Sequence, residues 1–471
     1  MKIQYVTNIL DPILKVEQPF RKKIRTVLVS EKYAASFQNG NYASSDFDFV
    51  LSDNGNFTRL NAIAKQYLPQ SVALEKTALA ELSKNNKLSD ATIKARKELN
   101  RTIIEACRKE FALVDYTKIT TKQVAMHPHA IIGAEDTTIP ILQICGAFKP
   151  IYKNCFPGLL PFQKNTIKLY TAQQKGKYGS LDYLNNVYKY IVVHAYDYKS
   201  IEKAVTTIKK SSPEAIAISL GGPLACKGTL KEIQIANKKI TFTEPHPESY
   251  VLCILYLLAI RDNTPKDMPI HILGLGSPIL ILLSAYIFKD FKFITVDSTA
   301  TSKDAEVNMI YGNKTGLLKM NSFKLAAYNI VYNKRFKGIS PYYNYFEKKH
   351  PSDWATLRKE FESVLKNKLI KKEEQISIIR KELESNPKLF KNTVPFFLPI
   401  RLADKKLKTE LRIARCFENY WVNVKLCNQM NEIKTKNKFK IHTINEVNKF
   451  AKFGSTDYVK AINELMKLIE N

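Results

Sequence analysis

The feature that most constrains the fold is a series of short, near-continuous apolar runs, each ending in a small or polar residue and each followed by a stretch with helical character. They are Thr26–Ser30, Phe47–Asp53, Ala130–Asp136, Tyr190–Ala195, Ala215–Gly222, Ile270–Gly276 and Phe291–Asp297. Strands that read as unbroken hydrophobic runs are buried on both faces, and their alternation with helices specifies a parallel α/β sheet. The polar residues cluster at the C-terminal ends of several different runs: Asp53, Asp136, His194, Gly221, Gly222 and Asp297. An open doubly wound sheet gathers its ligand groups at one switch point. A barrel draws them from many strand ends, so the expected fold is a (β/α)8 TIM-like barrel.

Two regions fall outside this alternation. Between the second and third runs, Leu68–Phe111 carries a long charge-rich pattern at helical spacing, which predicts a helical insertion. Beyond about residue 340 the strand signal fades and the chain reads as helical and basic, as in Trp354–Glu384 and Leu402–Asn431. Between Arg358 and Lys440, Lys and Arg outnumber Asp and Glu about two to one. The expected organisation is a catalytic barrel over residues 1–340 and a basic, mainly helical nucleic-acid-binding region over 341–471.

Charge narrows the partner. The 471 residues hold 73 Lys and Arg against 44 Asp and Glu, a formal charge of +29. A surplus of that size favours a polyanion, since each phosphate neutralised releases condensed counterions. The plainer alternative is a solvated lysine-rich surface from a Lys/Asn/Ile-heavy composition. With 45% hydrophobic residues the chain can bury a large core and is not a disordered basic tail. Seven scattered cysteines without a CxxC pair predict a reducing compartment. No apolar run approaches the length of a bilayer span and no signal-peptide core is evident, so a cytoplasmic protein is expected.

The chemistry-bearing segments begin with Ser52-Asp53-Asn54-Gly55-Asn56-Phe57, a strand end followed by a glycine turn. An Asp at a barrel mouth is partly desolvated, which can raise its pKa into the range useful for acid/base work; it can equally cap a helix. Ile294-Thr-Val-Asp297-Ser298 repeats the design. Two carboxylates at the same end of one barrel are what retaining glycosyl transfer needs, one as nucleophile and one as acid/base. Gly221-Gly222-Pro-Leu-Ala follows a buried strand, where missing side chains let a flat ligand reach backbone groups or merely permit a tight turn. His271-Ile-Leu-Gly274-Leu-Gly276-Ser-Pro begins like a phosphate loop but lacks a third glycine and a P-loop lysine.

Taken in order, SDNGNF, GGPLA, HILGLGSP and ITVDS resemble the motifs of the tRNA-guanine transglycosylase superfamily over about residues 40–310. The resemblance implies a (β/α)8 barrel with Asp297 as nucleophile on C1′ and Asp53 as acid/base. It also implies base contacts from Gly221 and Gly222, with Asn54 nearby, and places His194 and Asp136 where the family has a glutamine and an aspartate on the base. A rim histidine and a helix cap are the plain readings of those last two. The family's zinc cluster has no counterpart, because no cysteine lies between Cys253 and Cys416. No metal and no other cofactor is therefore expected.

That loss, Asn56 in place of a glycine, Ser298 after the nucleophile and the basic C-terminal region make the chain most similar to the superfamily's DNA-modifying branch, found in phages and bacterial genomic islands. The implied partners are DNA and a free 7-deazaguanine such as 7-cyano-7-deazaguanine, in the cytoplasm, or the host cytoplasm for a phage protein. Lys303, Lys314 and Lys319 follow the expected nucleophile and are candidates for backbone phosphates. The competing readings are a tRNA-acting enzyme of the same class, a non-catalytic nucleic-acid-binding subunit, and an unrelated barrel glycosidase.

Overall fold

The computed structural model describes all residues except 9–15, 17–18, 41, 153–154, 156–159, 179–186, 313–318, 368, 454–455 and 471. Eight strands close into a barrel: β1 (Lys2–Asn8), β2 (Thr26–Ser30), β3 (Phe49–Asp53), β4 (Ala130–Ile132), β5 (Tyr188–Val193), β6 (Ala215–Ser219), β9 (Ile270–Leu273) and β10 (Phe293–Ser298). All neighbours are parallel, and β10 pairs with β1 to complete the ring. Two further strands, β7 (Thr229–Ile235) and β8 (Lys238–Pro247), form an antiparallel hairpin between β6 and β9.

Strand periodicity divides the barrel into an inside and an outside. Val6, Leu28, Phe49, Leu51, Ala130, Ile132, Tyr190, Val192, Ala215 and Ala217 form one buried cluster inside the ring, with Leu273 and Phe293 against it. Their odd-even partners, such as Ile3, Val27, Val50, Ile191, Ile216 and Ile294, belong to the larger cluster between strands and helices. Counting two residues at a time from the inner cluster gives Asp53 from Leu51, His194 from Val192, and Asp297 from Phe293 through Thr295. The apolar interior thus changes to a polar layer where the strands end.

The helices cover the outer face. Pro278–Ile287 is buried along its whole length because it lies between the barrel and the C-terminal helices; Pro278 at its first position lacks the N–H that would otherwise go unsatisfied. Between β3 and β4 the chain forms the helices Asn56–Asn85, Asp90–Ala112 and Tyr116–Ala125. Helix Lys405–Glu432 runs against β1 and against helix Ala300–Glu306. Its Asn431 accepts from Ile3 N at 2.8 Å and donates to Ile3 O at 2.9 Å. No helix among the described residues is long and apolar enough to cross a membrane, and all seven cysteines are free thiols.

The same helix carries a fully buried Arg415 with no acidic partner among the described residues. Its guanidinium donates to the carbonyls of Phe396 (2.9 and 2.6 Å) and Leu398 (2.7 Å) and to Asn308 Oδ1 at 3.0 Å. Desolvation pulls its pKa down to about 9. Replacing it with Met keeps much of the apolar stem and takes the donor from the buried carbonyls of Phe396 and Leu398, while Asn308 Oδ1 keeps Ile400 N. Arg415→Met is expected to cost about 3 kcal/mol or more, read as a fall in the urea midpoint at unchanged slope. A midpoint within error of the parent would show that the acceptors find other donors.

Candidate active site

Three carboxylates converge at the C-terminal end of the barrel. Asp53 ends β3, and the chain then turns through Gly55, at φ +71°, into helix Asn56–Asn85. Asp53 Oδ2 accepts from Gly55 N at 3.2 Å. A side chain at residue 55 would be strained at that φ and would meet Ser30 Oγ at 3.0 Å, so glycine is required there. Desolvation, then the negative charge of Glu135, then that of Asp297 push the Asp53 pKa up to about 7. A carboxyl in that state is close to half protonated near neutral pH, suited to giving and taking one proton.

Asp297, on β10, is buried. Its Oδ1 accepts from Gly274 N at 3.2 Å and lies 3.2 Å from His271 Nε2. His271 is fully buried, and its Nδ1 is 2.8 Å from Thr295 Oγ1. His271 Nε2 makes no hydrogen bond among the described residues, so the hydrogen bond that holds this carboxylate oxygen comes from Gly274 N, with the imidazole packed beside it. Gly274 has φ +85°, which brings its N–H to the strand end. Gly276 is confined by packing, since a Cβ there would come within 2.6 Å of Ser298 and 2.5 Å of Ala300.

Glu135 is the residue that sequence reasoning missed. It is 3% exposed; Oε2 lies 2.5 Å from His194 Nε2, and Oε1 accepts from Asn54 Nδ2 at 3.1 Å. The resemblance implies a base contact from Asp136; its neighbour Glu135 is the carboxylate whose charge acts on Asp53. Asp136 itself folds back: Oδ1 accepts from Thr138 N (3.0 Å) and Oγ1 (2.6 Å), and Oδ2 from Asn165 Nδ2 at 2.9 Å. It precedes Thr137, the N-cap residue of helix Thr138–Ile144, and closes a tight turn onto Thr138 at the start of that helix. The cause is local, because β4 stops at Ile132. Extending the strand to residue 136 would keep 130, 132, 134 and 136 inward, whereas the loop from Gly133 reverses that parity and turns Glu135 in.

The remaining candidates divide. His194 is brought to the site, with Nε2 on Glu135 and a buried Nδ1 that has no hydrogen-bond partner among the described residues. Asn54 is fully buried, and its amide donates to Gly133 O (2.7 Å) and Glu135 and accepts from Asn56 N (2.9 Å). It positions Glu135. Gly221 sits beside Gly274 and under the Phe57 ring, which a Cβ would approach to 3.1 Å. Gly222 is buried, and a side chain on it would run into Gln143 Oε1, so its bareness serves packing. Lys303 is exposed on helix Ala300–Glu306. Lys319 is tied to Asp304 at 2.7 Å and lies over the Tyr311 ring. Lys314 lies outside the described residues.

No group of three or more His, Cys, Asp and Glu with metal-binding geometry occurs among the described residues. Neither protein-family models nor curated proteins give a match to the chain. The geometry itself therefore carries the chemistry: one carboxylate held by a backbone N–H with a histidine beside it, a second with its pKa raised to about 7, and a third bound to a histidine.

Proposed function

We propose that this protein is a base-exchange transglycosylase that replaces guanine in DNA with a 7-deazaguanine, such as 7-cyano-7-deazaguanine, through a covalent aspartyl-glycosyl intermediate. The observation that carries the reading is that Asp53 and Asp297 stand at the same end of the barrel, near enough for the Asp297 charge to act on Asp53, which burial and its anionic neighbours push up to about 7. The ordered motifs that resemble the DNA-modifying branch of the transglycosylase superfamily, and the +29 charge, supply the substrate class.

The target nucleoside leaves the base stack to enter the mouth, because C1′ is not open to in-line attack inside a duplex. An Asp297 carboxylate oxygen forms a bond to C1′ as the C1′–N9 bond breaks, and that electron pair passes to guanine. Protonated Asp53 gives its proton to the departing base. Ionised Asp53 then takes the N9 proton of the incoming 7-deazaguanine, whose N9 attacks C1′ and returns the electron pair to Asp297. Two displacements retain configuration. One glycosidic bond replaces another, so the exchange needs no external energy source. The paired Glu135 and His194 fit the donor and acceptor groups on the edge of a purine-like base.

The experiment is direct. DNA and tRNA are incubated separately with the protein and labelled 7-cyano-7-deazaguanine, then digested to nucleosides and separated. Labelled deoxynucleoside from DNA is expected. Label confined to tRNA would transfer the activity to the rival substrate, and label in neither would reject base exchange with this base.

A further inference from the structure

Next to Asp53, on the lip of the barrel, lies a charge arrangement that the exchange chemistry does not use. Ser30 ends β2 as the register partner of Asp53, and Glu31 follows it with its side chain 3% exposed. A carboxylate buried to that degree is costly unless paired. Glu31 is paired twice: Oε1 accepts from Arg59 Nη2, and Oε2 from Lys122 Nζ at 3.3 Å.

One cation would balance one carboxylate. The second leaves a unit of positive charge at the lip, and both cations stay open to solvent, with side chains 43% and 42% exposed. Neither has another acidic ion-pair partner among the described residues. Arg59 still has N–H donors beyond the one on Glu31, and the Lys122 ammonium has two more.

The pair is built onto the catalytic turn. Arg59 N donates to Gly55 O at 3.2 Å, one helical turn beyond the glycine that turns the chain after Asp53. Glu31 Oε1 and Ser30 Oγ stand against the bare face of Gly55, where a Cβ would be 3.4 and 3.0 Å from them. Ser30 Oγ is buried and has no hydrogen-bond partner among the described residues. A nucleoside inserted in the mouth keeps its flanking phosphodiesters outside at the lip, where a guanidinium and an ammonium held by a common carboxylate can grip them without first being ordered.

We infer that Arg59 and Lys122, held by Glu31, form a phosphodiester clamp that positions the DNA strand for insertion of its base beside Asp53. The clamp rests on the reading of DNA as substrate; it assigns residues to the strand itself, independently of the exchange chemistry.

The test is equilibrium binding of a fluorescein-labelled single-stranded DNA oligonucleotide, followed by anisotropy across a series of NaCl concentrations. Losing two phosphate contacts is expected to make the slope of log K against log salt shallower by about 1.4 and to weaken binding about tenfold at low salt. Arg59→Gln/Lys122→Gln leaves Glu31 buried and unpaired, so the triple variant Glu31→Gln/Arg59→Gln/Lys122→Gln is measured beside it. The triple variant keeps no buried charge and is expected to show the same shallower slope. A parental slope in a folded triple variant would overturn the clamp and make these residues a stability pair alone. Absence of DNA binding by the parent protein would overturn the clamp together with the DNA substrate, whereas a shallower slope without base exchange would leave the clamp standing and reject the reaction.

Discussion

Replacing Asp297 with Asn is expected to lower base exchange at least about 10³-fold and to abolish the covalent nucleic-acid adduct. Asn keeps the volume and an oxygen that can accept from Gly274 N, so strand β10 and the 3.2 Å contact with that loop can persist. What it removes is the anionic oxygen that attacks C1′. A second effect separates this variant from a general loss of structure. Asp297 is one of the two charges that raise the Asp53 pKa, so the neutral amide should let Asp53 ionise at lower pH. The measurements are single-turnover release of labelled guanine, adduct detection on denaturing gels, and titration of Asp53 by carboxyl NMR. Exchange at the parental rate with Asp297→Asn would remove the nucleophile from the mechanism.

The site was only partly legible in the sequence, for reasons tied to particular residues. Asp53 and Asp297 stand out because each ends a strand whose apolar residues are buried on both faces, so a single acid at its end is conspicuous. Glu135 was hidden by one residue: the apolar run through Gly133 and Ala134 gives no sign that β4 stops at Ile132, and the acid chosen was the one a longer strand would turn inward. His271 lay in a segment read for its glycines. Its inward direction follows only once Leu273 is known to face the interior. The Glu31–Arg59–Lys122 group joins three elements separated by up to 91 positions, and no local pattern announces it.

The fold was legible to a similar depth. The strands with continuous apolar runs are present, several one to four residues shorter than read. The missed barrel strand is β1, Lys2–Asn8, whose Lys2 and Gln4 interrupt any apolar run. Helix Lys405–Glu432, about 400 residues away along the chain, covers it, so the partner that buries its outward Ile3 and Tyr5 cannot be seen nearby. The hairpin of β7 and β8 was also missed, because its largely exposed strands show only Ile233, Phe242 and His246 as buried positions.

Asp53→Asn is expected to cost about 10²- to 10⁴-fold in exchange and, unlike Asp297→Asn, to leave the adduct obtainable from a substrate with a better leaving base. Guanine release requires the protonated carboxyl, so in the parent it should fall as pH rises through about 7, whereas the attack by the incoming base, which needs the ionised form, should rise through the same range. The intermediate assists this change of role. Once Asp297 is esterified it carries no charge, one of the two anionic neighbours is gone, and Asp53 gives up its proton more readily. Glu135→Gln removes the larger of the two neighbouring charges and should move the guanine-release limb to lower pH. Stability follows the same proton: the folded state binds it more tightly than the unfolded chain, so ionisation of Asp53 costs stability as pH rises from about 4 to about 7. Asp53→Asn should therefore raise the melting temperature more at about pH 8 than at about pH 5. Guanine release that is flat through pH 7 in the parent, or unmoved by Glu135→Gln, would show that Asp53 is not the proton donor and that its raised pKa is a by-product of three carboxylates sharing one barrel mouth.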